Sequence, residues 1–268
     1  MKKHYMLFTL LFTLLPFLNS YAEENKAITI PQLSFSSPTS GYRLEIPETI
    51  LGDRNGGETD RSGKSFTISA WINMDQYTNN SGSKGNVIMG HGPRVHMNYN
   101  GSLVLATTET GVLKIISGAS NKVTSVLETS VDLDTWTYLT LVYDNSDFSV
   151  SVYKDGTLVA TKNNTQQLEL FGDDPCIFFV GGAGFSGFCD EFQFFDRALN
   201  SNDVKQAYSN PQNISGLTVW YDFNTIEEGS SFTNKVTESD QVNTKATFYN
   251  LTGGQTNSDG GYISITNY

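Results

Sequence analysis

Hydrophobic and polar residues alternate along several stretches of the chain. In residues 65–74 (SFTISAWINM) every second side chain is apolar, from Phe66 to Met74, and Trp71 falls among the polar positions. Residues 148–153 (FSVSVY) repeat the pattern with serines between the apolar side chains. Successive side chains of a β-strand point to opposite faces of a sheet, so this alternation predicts strands with one buried face.

Turn signals separate further apolar runs. Asp155-Gly156 divides SVYK from TLVATK, and Asn100-Gly101 divides residues 94–99 (RVHMNY) from SLVLATT, so two β-hairpins are expected. Other strands are predicted at 27–35, 42–46, 86–90, 102–107, 111–116, 135–143, 166–171, 176–181, 187–195, 216–223, 245–250 and 261–266. Strands at this density predict an all-β protein, a two-sheet antiparallel jelly-roll sandwich.

One short helix interrupts the strands. Asn200 is a good helix cap, Val204, Ala207 and Tyr208 share a helical face, and Asn210-Pro211 ends the pattern. This spacing predicts a connecting helix between two strands.

The first 22 residues have the character of a secretory signal peptide. A basic start precedes an apolar run that ends at Leu18, and Ser20 and Ala22 are small residues at the expected cleavage point. We therefore expect export to the periplasm, the cell surface or the medium. Residues 23–268 contain no linker or repeat and are expected to form a single domain without a membrane span.

The charge balance excludes one class of partner. The chain has 17 Lys and Arg against 28 Asp and Glu, a formal net charge of −11. Nucleic-acid binding requires a basic face, so this composition argues against a nucleic-acid partner.

The two cysteines, Cys176 and Cys189, are expected to meet an oxidising compartment. If residues 176–181 and 187–195 form a hairpin with Val180 opposite Phe185, the cysteines also lie opposite each other. The spacing then suits a disulfide bond. Two buried thiols are the alternative.

Five segments together resemble a known family. They are SFTISAWINM (65–74), DTWTYLTLVYD (134–144), VYKDGTLVAT (152–161), FVGGAGFSGFCDEFQFFDRALNSNDVKQAY (179–208) and GLTVWYDFNTIEEGSSF (216–232). In content and order they resemble laminin-G-like domains, in the pentraxin-like branch of the concanavalin A-like lectin/glucanase superfamily. The resemblance implies a jelly roll with one concave sheet. Two residues depart from the family's pattern. Tyr138 stands where the family often has His, and Cys189 stands where it usually has a hydrophobic residue.

The superfamily includes lectins, glycanases and lyases, so the resemblance does not fix the function. Retaining glucanases of this fold carry acids at alternate strand positions, and the nearest stretch here, Glu191 to Asp196, has Gln193 in the middle. We expect Asp190 or Glu191 to pair with Arg197 instead. The prediction is a non-catalytic binding module with no catalytic residues, and a glycoside hydrolase or polysaccharide lyase is the less favoured alternative.

Carbohydrate is the expected ligand, because sugars need aromatic surfaces and polar groups in a groove. The candidate binding residues are the polar side chains of one predicted strand and two nearby aromatic residues: His91, Arg94, His96, Asn98, Trp71 and Tyr77. Alternatively, Trp71 packs in the core and the polar residues form an ordinary solvated face. A second function class is a protein–protein adhesion subunit of a cell-surface assembly. The sequence does not indicate the oligomeric state.

A polar loop, residues 51–64, is a candidate calcium site. It supplies four oxygen ligands within eight residues, Asp53, Asn55, Glu58 and Asp60. Ca²⁺ takes six to eight oxygens, including backbone carbonyls. The alternative is a solvated acidic loop.

Overall fold

A computed structural model describes most of the chain. The described residues are 26–30, 41–47, 64–78, 85–93, 102–118, 123–163, 167–168, 176–182, 184–224, 231–232, 234–236, 246–252, 255–257 and 265–267.

Within these residues the chain is almost entirely β-strand. The strands are β1 (Lys26–Ile30), β2 (Gly41–Pro47), β3 (Phe66–Met74), β4 (Asn86–Pro93), β5 (Leu103–Thr107), β6 (Val112–Ser117), β7 (Val123–Ser130), β8 (Thr137–Asp144), β9 (Ser149–Lys154), β10 (Thr157–Asn163), β11 (Cys176–Gly181), β12 (Gly187–Phe195), β13 (Leu217–Tyr221), β14 (Ser231–Phe232), β15 (Ala246–Thr252), β16 (Gln255–Asn257) and β17 (Ile265–Asn267). One helix, α1 (Ser201–Ser209), and a 3₁₀ turn (Pro211–Asn213) lie between β12 and β13.

The strands form two antiparallel sheets. Sheet 1 has the order β10-β9-β8-β3-β12-β1-β17, with β13 also paired to β12. Sheet 2 has the order β14-β15-β2-β11-β4-β5-β6-β7, with β16 paired to β15. This architecture confirms the predicted antiparallel sandwich. The strands β7, β14 and β16 were not predicted. Of the predicted strand 166–171 only residues 167–168 are described, and they lie outside any strand.

The core lies between the sheets, where the alternating pattern of β3 places it. Phe66, Ile68 and Met74 are fully buried, as are the other even-numbered residues between them. The Phe66 ring meets the ring of Phe178 from sheet 2 edge-on, at 5.0 Å between centroids. Burying each such side chain contributes roughly 1.5–3 kcal/mol, so this face of β3 is a main contact between the sheets.

The Asp155-Gly156 hairpin is confirmed. Both residues have positive φ, 50° and 73°, as a type I′ turn requires, and they connect β9 to β10. The hairpin predicted between residues 94–99 and 102–107 is wrong. β5 pairs with β4 on one edge and β6 on the other, so residues 86–91 pair with β5 in place of residues 94–99. Residues 94–99 lie outside the described part of the chain.

The predicted hairpin between residues 176–181 and 187–195 is wrong, and so is the disulfide bond derived from it. β11 pairs with β2 and β4 in sheet 2, whereas β12 pairs with β3 in sheet 1. The segment between them therefore crosses from one sheet to the other, and stacked sheets lie about 10 Å apart. Cys189 is a free thiol with no exposed surface, and burial raises its pKa well above the ordinary value.

Helix α1 begins and ends as the sequence predicts. The Asn200 side chain accepts hydrogen bonds from the backbone N–H groups of Asn202 and Asp203, and the helix ends before Asn210. Val204 and Ala207 are buried against a second apolar cluster that includes Val142 and Phe195. These two strand residues face away from the main core, so α1 packs on the outer face of sheet 1.

Candidate ligand-binding pocket

A pocket of about 530 Å³ opens on the outer face of sheet 1, beside the C-terminal end of α1. All three tryptophans of the chain line it: Trp71 on β3, Trp136 just before β8, and Trp220 on β13. Each of them is half-buried, so the indole rings are held by packing yet retain exposed surface. The pocket therefore combines a rigid scaffold with accessible aromatic faces.

Tyrosines extend the aromatic wall. The Trp71 ring lies 5.5 Å from the Tyr138 ring of β8 and 5.3 Å from the Tyr208 ring of α1, measured between centroids. Tyr138 and Tyr208 meet edge-on at 5.5 Å. Aromatic pairs prefer such offset and edge-on arrangements at 4.5–7 Å. Tyr208 is 38% exposed, one of the few large hydrophobic side chains on the described surface.

A β-bulge in β12 supplies the acidic part of the pocket. Asp190 lies opposite Trp71 on β3 and Gln193 lies opposite Ser69, so β12 has one residue more than β3 in this interval. Glu191 has a φ of 51°, which is rare for a residue other than glycine. Because of the extra residue, Asp190 and Glu191 both line the pocket. Bulges commonly redirect side chains next to functional sites.

The bulge coincides with a change of partner along β12. On the edge away from β3, residues 187–189 pair with β1, and residues 192–195 pair with β13. The two acidic residues lie between these two pairings. The sheet edge is therefore interrupted where the pocket opens.

The two carboxylates have different surroundings. Asp190 is only 3% exposed, and its Oδ1 accepts the backbone N–H of Glu191 at 2.8 Å. The Glu191 Oε2 accepts the indole N–H of Trp220. Burial raises the pKa of Glu191, and the negative charge of Asp222 raises it further. The hydrogen bond from Trp220 and the positive charge of Lys235 lower it, but by less than burial raises it. The Lys235 Nζ lies 2.8 Å from Asp222 Oδ2, so this cation pairs with Asp222.

A buried hydrogen-bond network lies beneath the pocket. The Tyr138 hydroxyl lies 2.8 Å from Gln193 Oε1 and 2.9 Å from Ser69 Oγ, and Ser69 Oγ donates to Gln193 Oε1 at 3.3 Å. Burial raises the pKa of Tyr138 well above its usual range, so the phenol stays protonated. Tyr138 stands where the family often has His, and it fixes Gln193 and supports the Trp71 ring.

The structure separates the predicted binding residues. Trp71 lies in the pocket, on the outer face as its position in the alternation indicates. His91 is fully buried, opposite Phe178 across the β4–β11 pairing, with ring centroids 4.7 Å apart. The expectation that His91 faces outward is therefore wrong. The prediction places His91 on the same strand as residues 94–99. His91 belongs instead to β4, which contains a register irregularity between Val87 and Met89.

Tyr77 does not join Trp71. Its hydroxyl donates to the backbone carbonyl of Val131, and the half-buried ring packs against the main core. Three other candidate binding residues, Arg94, His96 and Asn98, lie outside the described residues. So do the candidate calcium ligands Asp53, Asn55, Glu58 and Asp60. Across the part of the chain that is described, no group of three or more His, Cys, Asp or Glu side chains is placed to hold a metal ion.

The expected ion pair of Asp190 or Glu191 with Arg197 is also wrong. The Arg197 Nη1 lies 2.8 Å from Asp203 Oδ2 on the first turn of α1. An acidic residue near a helix N-terminus is favoured by the helix dipole, and Arg197 directly precedes that turn. Arg197 therefore pairs with the helix and not with the two acids of β12, which line the pocket. Sequence reasoning missed Trp136 and Trp220, because strand order and pairing bring them to the pocket. It missed both acids as pocket residues, because the alternation pattern carries no signal for a bulge.

No helix among the described residues is long and apolar enough to span a membrane.

Comparison with known proteins supports the fold. The chain is similar to a solved protein from Bacteroides ovatus, described as a "putative carbohydrate binding protein", at 16% identity and a TM-score of 0.60. The alignment covers 91% of this chain and 60% of that one, so the chain spans less than two thirds of that protein's length. A heptameric SAP-like pentraxin from Limulus polyphemus aligns at 15% identity, over 71% of this chain and 84% of that one, with a TM-score of 0.46.

A third solved structure, the CBM40 of a Ruminococcus gnavus sialidase bound to α2,3-sialyllactose, aligns at 14% identity over 61% of this chain and 91% of that one, with a TM-score of 0.44. None of the curated proteins compared matches the sequence. A laminin-G sequence profile described as the concanavalin A-like lectin/glucanases superfamily matches residues 54–205, which is more than half of the chain. With this match and the antiparallel sandwich, the chain belongs to the concanavalin A-like lectin/glucanase superfamily.

Proposed function

We propose that this protein is an exported, non-catalytic carbohydrate-binding module that holds its glycan in the tryptophan-lined pocket of sheet 1. The observation that carries the proposal is that all three tryptophans, from three separate elements, converge on one opening beside two carboxylates. Structural packing alone does not require this convergence, because the main core lies on the other face of the sheet.

The pocket matches the chemistry of a sugar ring. A pyranose presents apolar C–H faces and a rim of hydroxyl groups, so it stacks on aromatic rings and donates hydrogen bonds around its edge. An aromatic side chain buries about 150–250 Å² when fully covered, which makes indole an efficient surface for stacking. Carboxylate acceptors form hydrogen bonds roughly twice as strong as neutral ones, and the half-buried Glu191 provides one in the lining of the pocket. The volume also falls within the range of about 300–1,000 Å³ that is typical of small-ligand pockets.

The comparison with Bacteroides ovatus agrees with this proposal. That protein is described as a "putative carbohydrate binding protein" and shares the fold over most of the present chain. Its likeness is one of fold, so the pocket residues carry the argument for the ligand.

We propose a binding role and not hydrolysis because of how the two acids are placed. A glycosidase needs two carboxyl groups flanking the scissile bond, about 5–5.5 Å apart in retaining enzymes. Asp190 and Glu191 are adjacent on one strand, and the Asp190 carboxylate is buried and bonded to the Glu191 backbone. These two carboxyl groups therefore do not face each other across a groove, as a nucleophile and an acid on either side of a glycosidic bond would.

Calcium and export are separate parts of the proposal. The loop residues Asp53, Asn55, Glu58 and Asp60 supply oxygen ligands of the kind that Ca²⁺ prefers. The basic and apolar start of the chain supports export.

A glycan array probed with the purified protein tests the proposal, with Ca²⁺ and with chelator. We expect saturable binding to a defined group of glycans. Trp136→Ala should weaken binding by about 10- to 100-fold, the loss of one well-placed aromatic contact. Leu158→Ala is the matched control, because Leu158 is an exposed apolar residue of β10 outside the pocket. If no glycan binds in either buffer, the proposal is wrong and a protein partner becomes the better hypothesis.

A further inference from the structure

We infer that the pocket selects its glycan by charge: it favours a sugar unit that carries an amine, rejects one that carries a carboxylate, and uses Glu191 to make the distinction. The inference names the ligand class of the proposed site and so rests on the proposed function.

The charges at the pocket are all of one sign. Among the described residues that line it, Asp190 and Glu191 are the charged ones, and none is Lys, Arg or His. Like charges a few ångströms apart repel each other strongly at the effective dielectric constant of a protein surface. A sugar carboxylate placed against Glu191 would meet this repulsion, and no Lys, Arg or His of the described lining would offset it.

The groups facing Glu191 from neighbouring elements do not reverse this sign. Asp222, just after β13, adds negative charge, and the Lys235 ammonium group pairs with Asp222. The Tyr138 phenol of β8 stays neutral. From α1 the pocket receives only uncharged residues, Ala207, Tyr208 and Ser209.

The aromatic walls favour a cation in the same place. The Trp220 indole donates its N–H to Glu191, so the ring is held beside the carboxylate. The rings of Trp71 and Trp136 line the same pocket, and an ammonium group that lies over an indole face is attracted to it by a cation–π interaction. Burial raises the pKa of Glu191, so desolvation disfavours its ionised form. A ligand ammonium group beside the carboxylate would favour that form.

Three tetrasaccharides with one backbone test the inference by calorimetry at neutral pH. They are cellotetraose, which is neutral, chitosan tetrasaccharide, which carries amines, and cellouronic tetrasaccharide, which carries carboxylates. We expect the chitosan oligomer to bind at least 10-fold more tightly than cellotetraose, and the uronic oligomer at least 10-fold more weakly. Glu191→Gln should bring the chitosan and cellotetraose affinities to within about 2-fold of each other.

A matched control separates this preference from general attraction of a cation to an acidic protein. Asp147 is an exposed carboxylate in the turn after β8, at the opposite end of that strand from Tyr138, so Asp147→Asn removes the same charge away from the pocket. That variant should keep the full preference for the amine. The inference would be overturned if the three sugars bound equally, if the uronic oligomer bound more tightly, or if the chitosan oligomer did not bind. It would also be overturned if both variants lost the preference for the amine to the same extent. The glycan array decides the proposed function separately, because hits there with no amine preference here leave that function intact.

Discussion

Glu191, which lines the pocket, has an unusual backbone conformation. Its φ of 51° falls in the left-handed region, which costs a residue with a Cβ roughly 1–2 kcal/mol. The hydrogen bond from Trp220 and the pairing of β12 on both sides of the bulge hold it there. Strained residues of this kind cluster at ligand sites, which agrees with the role proposed for Glu191.

Replacing Glu191 by Gln should change how stability depends on pH. The folded-state pKa of Glu191 is raised, chiefly by burial, so its contribution to stability is fully present below the unfolded-state pKa and is lost as pH rises through the folded-state value. At neutral pH Glu191→Gln should therefore be as stable as the parent or more stable, by up to about 1 kcal/mol. The difference should shrink as the pH is lowered. Urea unfolding of both proteins across this range measures it.

Asp147 provides a control of opposite sign for the same experiment. Hydrogen bonds from Ser149 lower the pKa of Asp147, so its contribution is present above the unfolded-state pKa and is lost as pH falls. Asp147→Asn should therefore destabilise the protein at neutral pH and not in acid. If Glu191→Gln instead destabilised the protein at neutral pH and not in acid, as expected for Asp147→Asn, the conclusion that burial disfavours the ionised Glu191 would be contradicted.

At the scale of elements, the alternation of apolar residues predicted faces well and partners poorly. It placed Phe66 inside and Trp71 outside on β3, and the Asp-Gly signal located the β9–β10 turn. It could not show that β11 and β12 belong to different sheets, because both strands carry the same pattern whichever strands they pair with. The prediction of a disulfide bond was wrong for this reason.

The site was less accessible to sequence reasoning than the fold. Trp71 was found from its position on β3, but Trp136 and Trp220 reach the same pocket only through strand order and the β12–β13 pairing. The bulge at Glu191 is set by tertiary packing, and a single inserted residue leaves no periodic trace. Sequence similarity pointed to a structural role for these acids, and the structure assigns Arg197 to Asp203 instead.

Helix α1 forms one wall of the pocket and depends on its cap. Asn200 accepts two backbone hydrogen bonds at the start of the helix, and it is exposed, so its substitution removes little else. Asn200→Ala should lower the free energy of unfolding by about 1 kcal/mol, the usual cost of losing such a cap. Thermal or urea unfolding checks this value. Asn200→Asp should preserve stability, and an equal loss in that variant would argue against capping as the cause.

At the scale of the whole molecule, the sandwich provides two faces with different tasks. The space between the sheets holds the main core, including the fully buried Phe66, Phe178 and Phe194. The outer face of sheet 1 carries α1 and, beside it, the pocket. Because the pocket lies on the outer face, its residues can vary without rebuilding the core, which is one way in which a single fold supports many ligands.

The placement of the tryptophans gives this protein an internal reporter. All three line the pocket, so no indole elsewhere in the chain contributes background emission. We would titrate the protein with the strongest glycan from the array and follow tryptophan fluorescence and calorimetric heat in parallel. We expect a saturable change in emission that gives the same dissociation constant as the heat. In Trp136→Ala the dissociation constant from either signal should rise by at least about 10-fold. Calorimetric binding with unchanged emission from all three tryptophans would place the glycan elsewhere and contradict the assignment of this pocket as the binding site.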